Sequence, residues 1–460
     1  MRGYFDILYH MRAGSISIEF HGGAEEVTGA CYLLTTPQAK ILIDCGLFQG
    51  SRTMEKKNNE DFKFNPKEID AVFITHSHID HIGRLPKLVK DGFNGQIFST
   101  RPTKELAMPM FEDALHFMKD PETALYTKKD IEKTLSLWHS LAYYNPKNIG
   151  DSEFVLRNAG HILGSAMIEI SVGGKKILFT GDFGNAPSVL LPPPDPLPDG
   201  IDYLIIESTY GNKIHKNIEG RSLQLERAIE DAVNRGGTLM IPAFATERTQ
   251  DILYELNDMV TNKRVPDVPV FVDSPLAIKI TEVFRRHPTL YNADVQETMK
   301  SDPHVFDFKG LRFTESVDES KTINDVPPPK VILAGSGMSS GGRIVHHEVR
   351  YLKDEKSIML IVGFQSGGSI GRQLIDGISE IMLLGETVPV RAEIRKISGY
   401  SAHADGPQLF EFIKRGKDSL KTVFVVQGEE NAAGKLAQDI RDKLGITAQI
   451  PRLYEKVILE

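Results

Sequence analysis

His76-Ser77-His78-Ile79-Asp80-His81 stands directly after the apolar run 71–75 (AVFIT) and before residues 83–90, whose pattern predicts a helix. Four metal-competent side chains within six residues, at the end of a strand, are the densest chemical signal in the chain. Alternation along extended backbone turns His76 and His78 the same way, so both can serve one ion. Asp80 and His81, beyond the bend, can face a second ion beside the first. Any one of these histidines would pass for an ordinary surface residue. The set at this spacing carries a mechanism.

Two further candidates lie downstream. His161 sits in 158–165 (NAGHILGS), a glycine-flanked loop that permits close backbone approach. Asp182 sits in 180–184 (TGDFG), just past the apolar run 176–180 (KILFT). A carboxylate there could bridge two ions, as paired catalytic metals require. Taken singly, His161 reads equally well as a satisfied buried histidine and Asp182 as a turn residue. Beside the 76–81 cluster, both become ligand candidates.

The rest of the chain sets the frame. Its 460 residues predict two or more domains, and 41% apolar with 25% charged residues is the composition of a folded protein. No apolar stretch is long enough to span a membrane, the first fourteen residues lack an apolar leader, and Cys31 and Cys45 are too few for a disulfide framework. These features predict a cytoplasmic protein. A net charge of −8 gives no general affinity for nucleic acid, although a local basic groove would suffice to hold phosphates.

Apolar runs at 40–45, 71–75, 176–180 and 203–206 predict strands covered on both faces, each ending in polar or glycine residues. Residues 110–141, including Trp138, have a mostly helical period, and the proline-rich tract 190–200 reads as a stiff connection. From about 211 the rhythm becomes a strand–helix alternation. Strands at 238–244, 268–272, 330–335 and 357–364 are separated by helical segments, which predicts a doubly wound α/β unit. Short strands return at 388–397 and 422–426, with a helix at 406–415 between them.

In their order, HSHIDH, AGHILGS and TGDFG resemble the successive motifs of the metallo-β-lactamase fold. Downstream, 207–211 (ESTYG), 242–245 (PAFA), 273–277 (DSPLA), 336–338 (SGM), 341–343 (GGR) and 401–405 (SAHAD) resemble its β-CASP subfamily, whose members process RNA or DNA. The likeness is to the RNA-cleaving group. It implies an α/β protein, a metallo-β-lactamase αββα sandwich with an inserted doubly wound β-CASP domain. The sandwich would comprise 1–210 and 386–460 and the insertion 211–385, with RNA in the cleft between them. The resemblance further implies two zinc ions, one on His76, His78, His161 and Asp182, the other on Asp80, His81 and the shared Asp182. Gln427, in 425–429 (VVQGE), stands where the family has a last histidine ligand to the second ion. An amide oxygen can bind zinc but is neutral and weaker than imidazole, so a weakened second site is expected.

Phosphodiester hydrolysis also needs a proton for the leaving oxygen, and Glu207 with His403 forms a candidate carboxylate–imidazole pair, beside Asp80 in the catalytic set. Ser336, Gly337, Arg343 and Arg248 lie near strand ends where phosphates could be held, though each reads as readily as a turn residue or a surface cation. The expected partner is single-stranded RNA, with no membrane, and a homodimer is admissible. Two rivals remain: a non-catalytic RNA-binding or scaffold relative, favoured by Gln427, and a small-molecule ester hydrolase of the same fold, disfavoured by the size of the insertion.

Overall fold

The computed structural model describes residues 15–50, 52–118, 124–215, 220–363, 365 and 367–460. The first fourteen residues, where a leader was sought, and Phe364, the end of an expected strand, lie outside these. The described residues form two compact units. One runs to Asn185 and takes in Pro194–Ile214 and His403–Glu460; the other takes in Ala186–Pro193 and His215–Ala402.

The first unit contains two seven-stranded sheets. One runs, in spatial order, through Lys456–Leu459, Ile16–Phe20, Tyr32–Thr35, Lys40–Ile43, Ala71–Phe73, Gln96–Thr100 and Trp138–Leu141. The other runs through Thr447–Gln449, Thr422–Val426, Tyr203–Glu207, Lys175–Phe179, Ala166–Val172, Ser152–Asn158 and Lys147–Ile149. The period-two alternation explains why the apolar runs are continuous. Ile41, Ile43, Phe73, Ile205 and Phe424 point into one shared core, where Phe73 stacks on Phe154 at 4.1 Å. Their neighbours point the other way: Leu42 and Val72 into an outer core with Leu85, Leu88 and Phe111, and Leu204 and Val423 into another with Leu409, Leu436 and Ile440. Both faces of each sheet are thus buried, one against the other sheet and one against helices, which is the αββα sandwich. Each large side chain so buried contributes about 1.5–3 kcal/mol.

Trp138 departs from the expected helix. The helices Arg101–Phe117 and Lys128–Ser136 end before it, and Trp138 opens a strand paired with Gln96–Thr100. Its indole Nε1 donates to Ser99 Oγ at 2.8 Å, so edge pairing and burial of the ring override the local helical period.

The second unit holds a six-stranded, wholly parallel sheet in the order Leu311–Phe313, Val270–Asp273, Lys330–Ala334, Thr238–Pro242, Ile358–Ile361, Glu393–Lys396. The sequence pattern ends the insertion at 385, yet Glu393–Lys396 pairs with Ile358–Ile361, and this unit continues to Ala402. An edge strand buries little of itself, so its pattern carries no sign of which sheet it joins. Among the described residues, no helix is long and apolar enough to cross a membrane.

Asp273, at the end of its strand, is the polar centre of the second unit. Its buried carboxylate accepts from Thr314 Oγ1, Ser320 Oγ, Arg343 Nη1 and His347 Nε2, each at 2.7 Å. Burial works against the charge, but the donors from His347, Ser320, Thr314 and Arg343 prevail and hold its pKa at about 2, below the usual 3.8. Asp273→Ala leaves Arg343 and His347 without their acceptor and should destabilise this unit by about 3–5 kcal/mol at neutral pH. Because the folded pKa is depressed, that contribution is complete above the usual carboxylate pKa and is lost as pH falls through about 2. Denaturant melts of wild type and variant, compared at pH 7 and pH 3, should show the gap narrowing; a constant gap would show that the carboxylate charge is not what stabilises.

Candidate metal centre

The 76–81 segment leaves the strand Ala71–Phe73 and turns into the short helix Ile79–Ile82. Gly46 permits that turn, because a Cβ there would stand 1.4 Å from the Asp80 carbonyl oxygen. The loops bearing His161 and Asp182 are pressed together in the same way. A Cβ on Gly184 would meet the Gly160 carbonyl oxygen at 2.1 Å, and Gly184 N–H donates to Ala159 O at 2.9 Å. Close approach of the two loops sets His161 beside Asp182.

One ligand atom each from His76, His78, His161 and Asp182 lies within 4.8 Å of the others. His78 Nδ1 is 3.1 Å from His76 Nε2 and 3.2 Å from His161 Nε2, and Asp182 Oδ2 is 3.3 Å from both of the latter atoms. A tetrahedral zinc with bonds of about 2.0–2.1 Å spaces its ligand atoms about 3.3–3.4 Å apart, so this donor set fits such an ion. Protonation fits as well. Burial and then the neighbouring imidazoles hold His78 and His161 well below the usual histidine pKa. Burial opposes the Asp182 charge, but His81, His76 and His403 hold that carboxyl well below its ordinary range. Neutral imidazoles and an ionised carboxylate are the forms that bind metal.

A ring of outer hydrogen bonds orients these ligands, and its centre is Asp44. Thr75 donates to Asp44 through N–H at 2.8 Å and through Oγ1 at 2.7 Å, and His81 Nδ1 lies 2.7 Å from Asp44 Oδ2. The Thr75 hydroxyl, its proton committed to Asp44, can accept from His76 Nδ1 at 3.1 Å. One carboxylate thereby assigns the Nδ1–H tautomer to His76 and His81 and leaves their Nε2 atoms to face inward. Neither Asp44 nor Thr75 stood out in the sequence. The visible signal was an acid ending the strand Lys40–Ile43, in register with the strand that ends in the histidine cluster.

Glu207 and His403 come together although 195 positions separate them in the chain. Glu207 is fully buried; its Oε1 accepts from Phe183 N–H at 2.7 Å and faces His403 Nδ1 at 3.0 Å. His403 Nε2 lies 3.9 Å from Asp182 Oδ2. Burial alone would lower the His403 pKa, but the carboxylates of Glu207 and Asp182 raise it to about 9. Asp182, Glu207 and His403 form a second group whose ligand atoms lie within 4.8 Å of one another.

Asp80, His81 and Gln427 line the other side of Asp182. His81 Nε2 is 3.1 Å from Asp182 Oδ1 and 3.9 Å from Asp80 Oδ2. Burial opposes a charge on His81, but Asp182 and Asp44 raise its pKa well above the usual value, while burial raises that of Asp80. The sequence reading gave Gln427 an oxygen pointing at a second ion. The structure turns its nitrogen there: Gln427 Nε2 donates to Asp182 Oδ1 at 2.7 Å and lies 3.1 Å from His81 Nε2.

The expected phosphate contacts belong to the second unit and are engaged internally. Arg343 binds Asp273 and the carbonyl oxygens of Thr314 and Glu315. Arg248 is buried, pairs with Asp251 at 2.8 Å and lies over the Tyr400 ring. Ser336 Oγ accepts from Ser340 N–H, and Gly337 packs against the Phe244 ring, where a Cβ would stand 2.7 Å away. Both cations read as phosphate ligands in the sequence because no pattern reveals a buried acid supplied by the fold.

The fold and the donor set define a metallohydrolase. The chain belongs to the metallo-β-lactamase superfamily: residues 24–210 match that superfamily, residues 249–374 the Beta-Casp domain, and residues 387–451 the Zn-dependent metallo-hydrolase RNA specificity domain. It is 36% identical to Ribonuclease TTHA0252 of Thermus thermophilus, covering 90% of this chain and 94% of that one. It is 33% identical to an RNase J-like protein of Methanocaldococcus jannaschii, covering 95% and 98%. To the transcription termination factor FttA of Methanosarcina mazei the identity is 31%, over 95% of this chain and 71% of that protein. A crystal structure of a protein of unknown function from Enterococcus faecalis V583 shares the fold at a TM-score of 0.58 with 12% identity, covering 97% of this chain and all of that one.

If Asp44 fixes the tautomers of two ligands, Asp44→Asn should weaken zinc binding about 10–100-fold, the usual effect of losing an outer hydrogen-bond partner. Competition of wild type and variant against a chromophoric chelator would measure it. Equal affinities would remove Asp44 from the site.

Proposed function

We propose that the protein is a zinc-dependent ribonuclease that hydrolyses phosphodiester bonds of single-stranded RNA. The observation that carries this reading is the sharing of Asp182 between two clusters, one with His76, His78 and His161, the other with Glu207 and His403. A metal-binding set and an acid–base pair therefore meet at one carboxylate. The RNA specificity domain matched at 387–451 and the ribonuclease names of the relatives support RNA as substrate over a small ester.

A divalent ion held by His76, His78, His161 and Asp182 would supply a nucleophile at neutral pH and neutralise charge on the phosphate. The chain's own residues do the rest. Glu207 accepts at His403 Nδ1 and fixes the ring, so Nε2 is the atom that carries the mobile proton on the side of Asp182. The Glu207 carboxylate, the largest influence raising the His403 pKa, favours the protonated ring. His403 passes it to the departing oxygen, where the developing negative charge attracts it. The imidazole left behind is hydrogen-bonded to Glu207 and recovers a proton from water. Asp80, half-buried beside His81, orients the attacking water.

Cleavage of 5′-labelled single-stranded RNA, with simple esters in parallel, tests the substrate class. His403→Ala should lower the rate of RNA cleavage by about two to four orders of magnitude with zinc content unchanged. Loss of zinc would make His403 a ligand rather than an acid, and an unchanged rate would exclude it from catalysis. Wild-type protein that binds zinc and RNA but leaves the RNA intact would favour the non-catalytic reading.

A further inference from the structure

Gln427 is held rigidly. Its N–H donates to the Gly23 carbonyl oxygen at 2.7 Å, its carbonyl oxygen accepts from Thr209 Oγ1 at 3.1 Å, and its φ of 48° lies in the left-handed region. Its side chain is buried, and Tyr32, also buried, donates its hydroxyl to Gln427 Oε1 at 3.3 Å. The amide nitrogen then faces Asp182 Oδ1 at 2.7 Å and His81 Nε2 at 3.1 Å.

This orientation is set by chemistry. Turned over, the amide would place its oxygen 2.7 Å from a carboxylate oxygen, a contact that is repulsive unless a cation lies between them. With nitrogen inward, Asp182 Oδ1 accepts the amide N–H and Gln427 Oε1 accepts from the Tyr32 hydroxyl. The amide donates to Asp182 whatever the protonation of His81, and to His81 Nε2 whenever that atom carries a lone pair. Asp182, His81 and Asp80 are the residues on which the family resemblance places a second zinc. The amide N–H on Asp182 Oδ1 stands on the side of that carboxylate where a second ion would bind.

We propose that this protein holds one divalent ion tightly, on His76, His78, His161 and Asp182, and that the Gln427 amide occupies the place of a second. The proposal rests on the metal-dependent reading above and deepens it. A second ion could enter only by displacing the amide hydrogen bond to Asp182 and rotating the amide so that its oxygen faces the ion and its nitrogen faces Tyr32. The relevant replacements are near in size. Gln427→His supplies an imidazole lone pair in place of the N–H donors. Gln427→Glu supplies a carboxylate that cannot rest against Asp182 without a cation.

The test is zinc per chain by elemental analysis, after equilibration with a slight excess of zinc and desalting, on the full-length wild type and on both variants. Circular dichroism melts check the fold of each. The expected result is one zinc per chain for wild type and two for at least one folded variant. In manganese-loaded protein the same change should appear as an isolated six-line electron paramagnetic resonance signal giving way to a coupled pair. A wild-type ratio other than one, or a ratio that stays at one in both variants, overturns the proposal. RNA cleavage is not read in these measurements, so a failure of the ribonuclease reading would leave the ratios standing and would be seen separately.

Discussion

The site depends on keeping one carboxylate ionised in the interior. Asp182 is buried, and a buried carboxylate without compensating partners would take up a proton instead. Here imidazoles from the 76–81 segment and from His403 offset that cost, at 3.1 Å from His81, 3.3 Å from His76 and 3.9 Å from His403. The backbone around it is held by the close approach at Gly46, the paired loops at Gly160 and Gly184, and the Asp44–Thr75 hydrogen bonds.

Much of this was legible in the sequence. A strand followed by HSHIDH locates one end of the site, and the continuous apolar runs at 40–45, 71–75, 176–180 and 203–206 become strands buried on both faces, because alternate residues serve different cores. His161 and Asp182 were readable as ligand candidates from glycine-flanked loops after strands. What could not be read was anything set by partners from elsewhere in the fold. Trp138 falls on a strand because Gln96–Thr100 offers an edge, and the strand Glu393–Lys396 joins the second sheet because Ile358–Ile361 lies open to it. The surroundings of the Gln427 side chain are of the same kind. Composition shows an amide, but only Tyr32 and Asp182 determine which end of it points where.

The second unit shows how easily a buried acid can disguise a cation's role. Arg343 and Arg248 lie near strand ends in glycine-rich or polar loops, the usual address of a phosphate ligand. Both are spent on neighbouring carboxylates, Asp273 and Asp251. Burial pushes Asp251 up to about 7, whereas Asp273, with four donors, is held at about 2. The difference follows from the number of hydrogen bonds offered to the charge and not from depth alone.

The division of the first unit along the chain has a consequence for synthesis. Every residue of the four-donor cluster precedes residue 183, whereas His403 and the strand Thr422–Val426, which pairs with Tyr203–Glu207 inside the sheet, follow the whole second unit. As the ribosome delivers the chain from its N-terminus, the ligands emerge long before the imidazole that completes the acid pair, and the second sheet stays two strands short until nearly the end. A growing chain can thus gather its metal ligands while Glu207 still lacks its partner. On the proposed mechanism, the acid pair is among the last parts of the site to be completed as the polypeptide emerges.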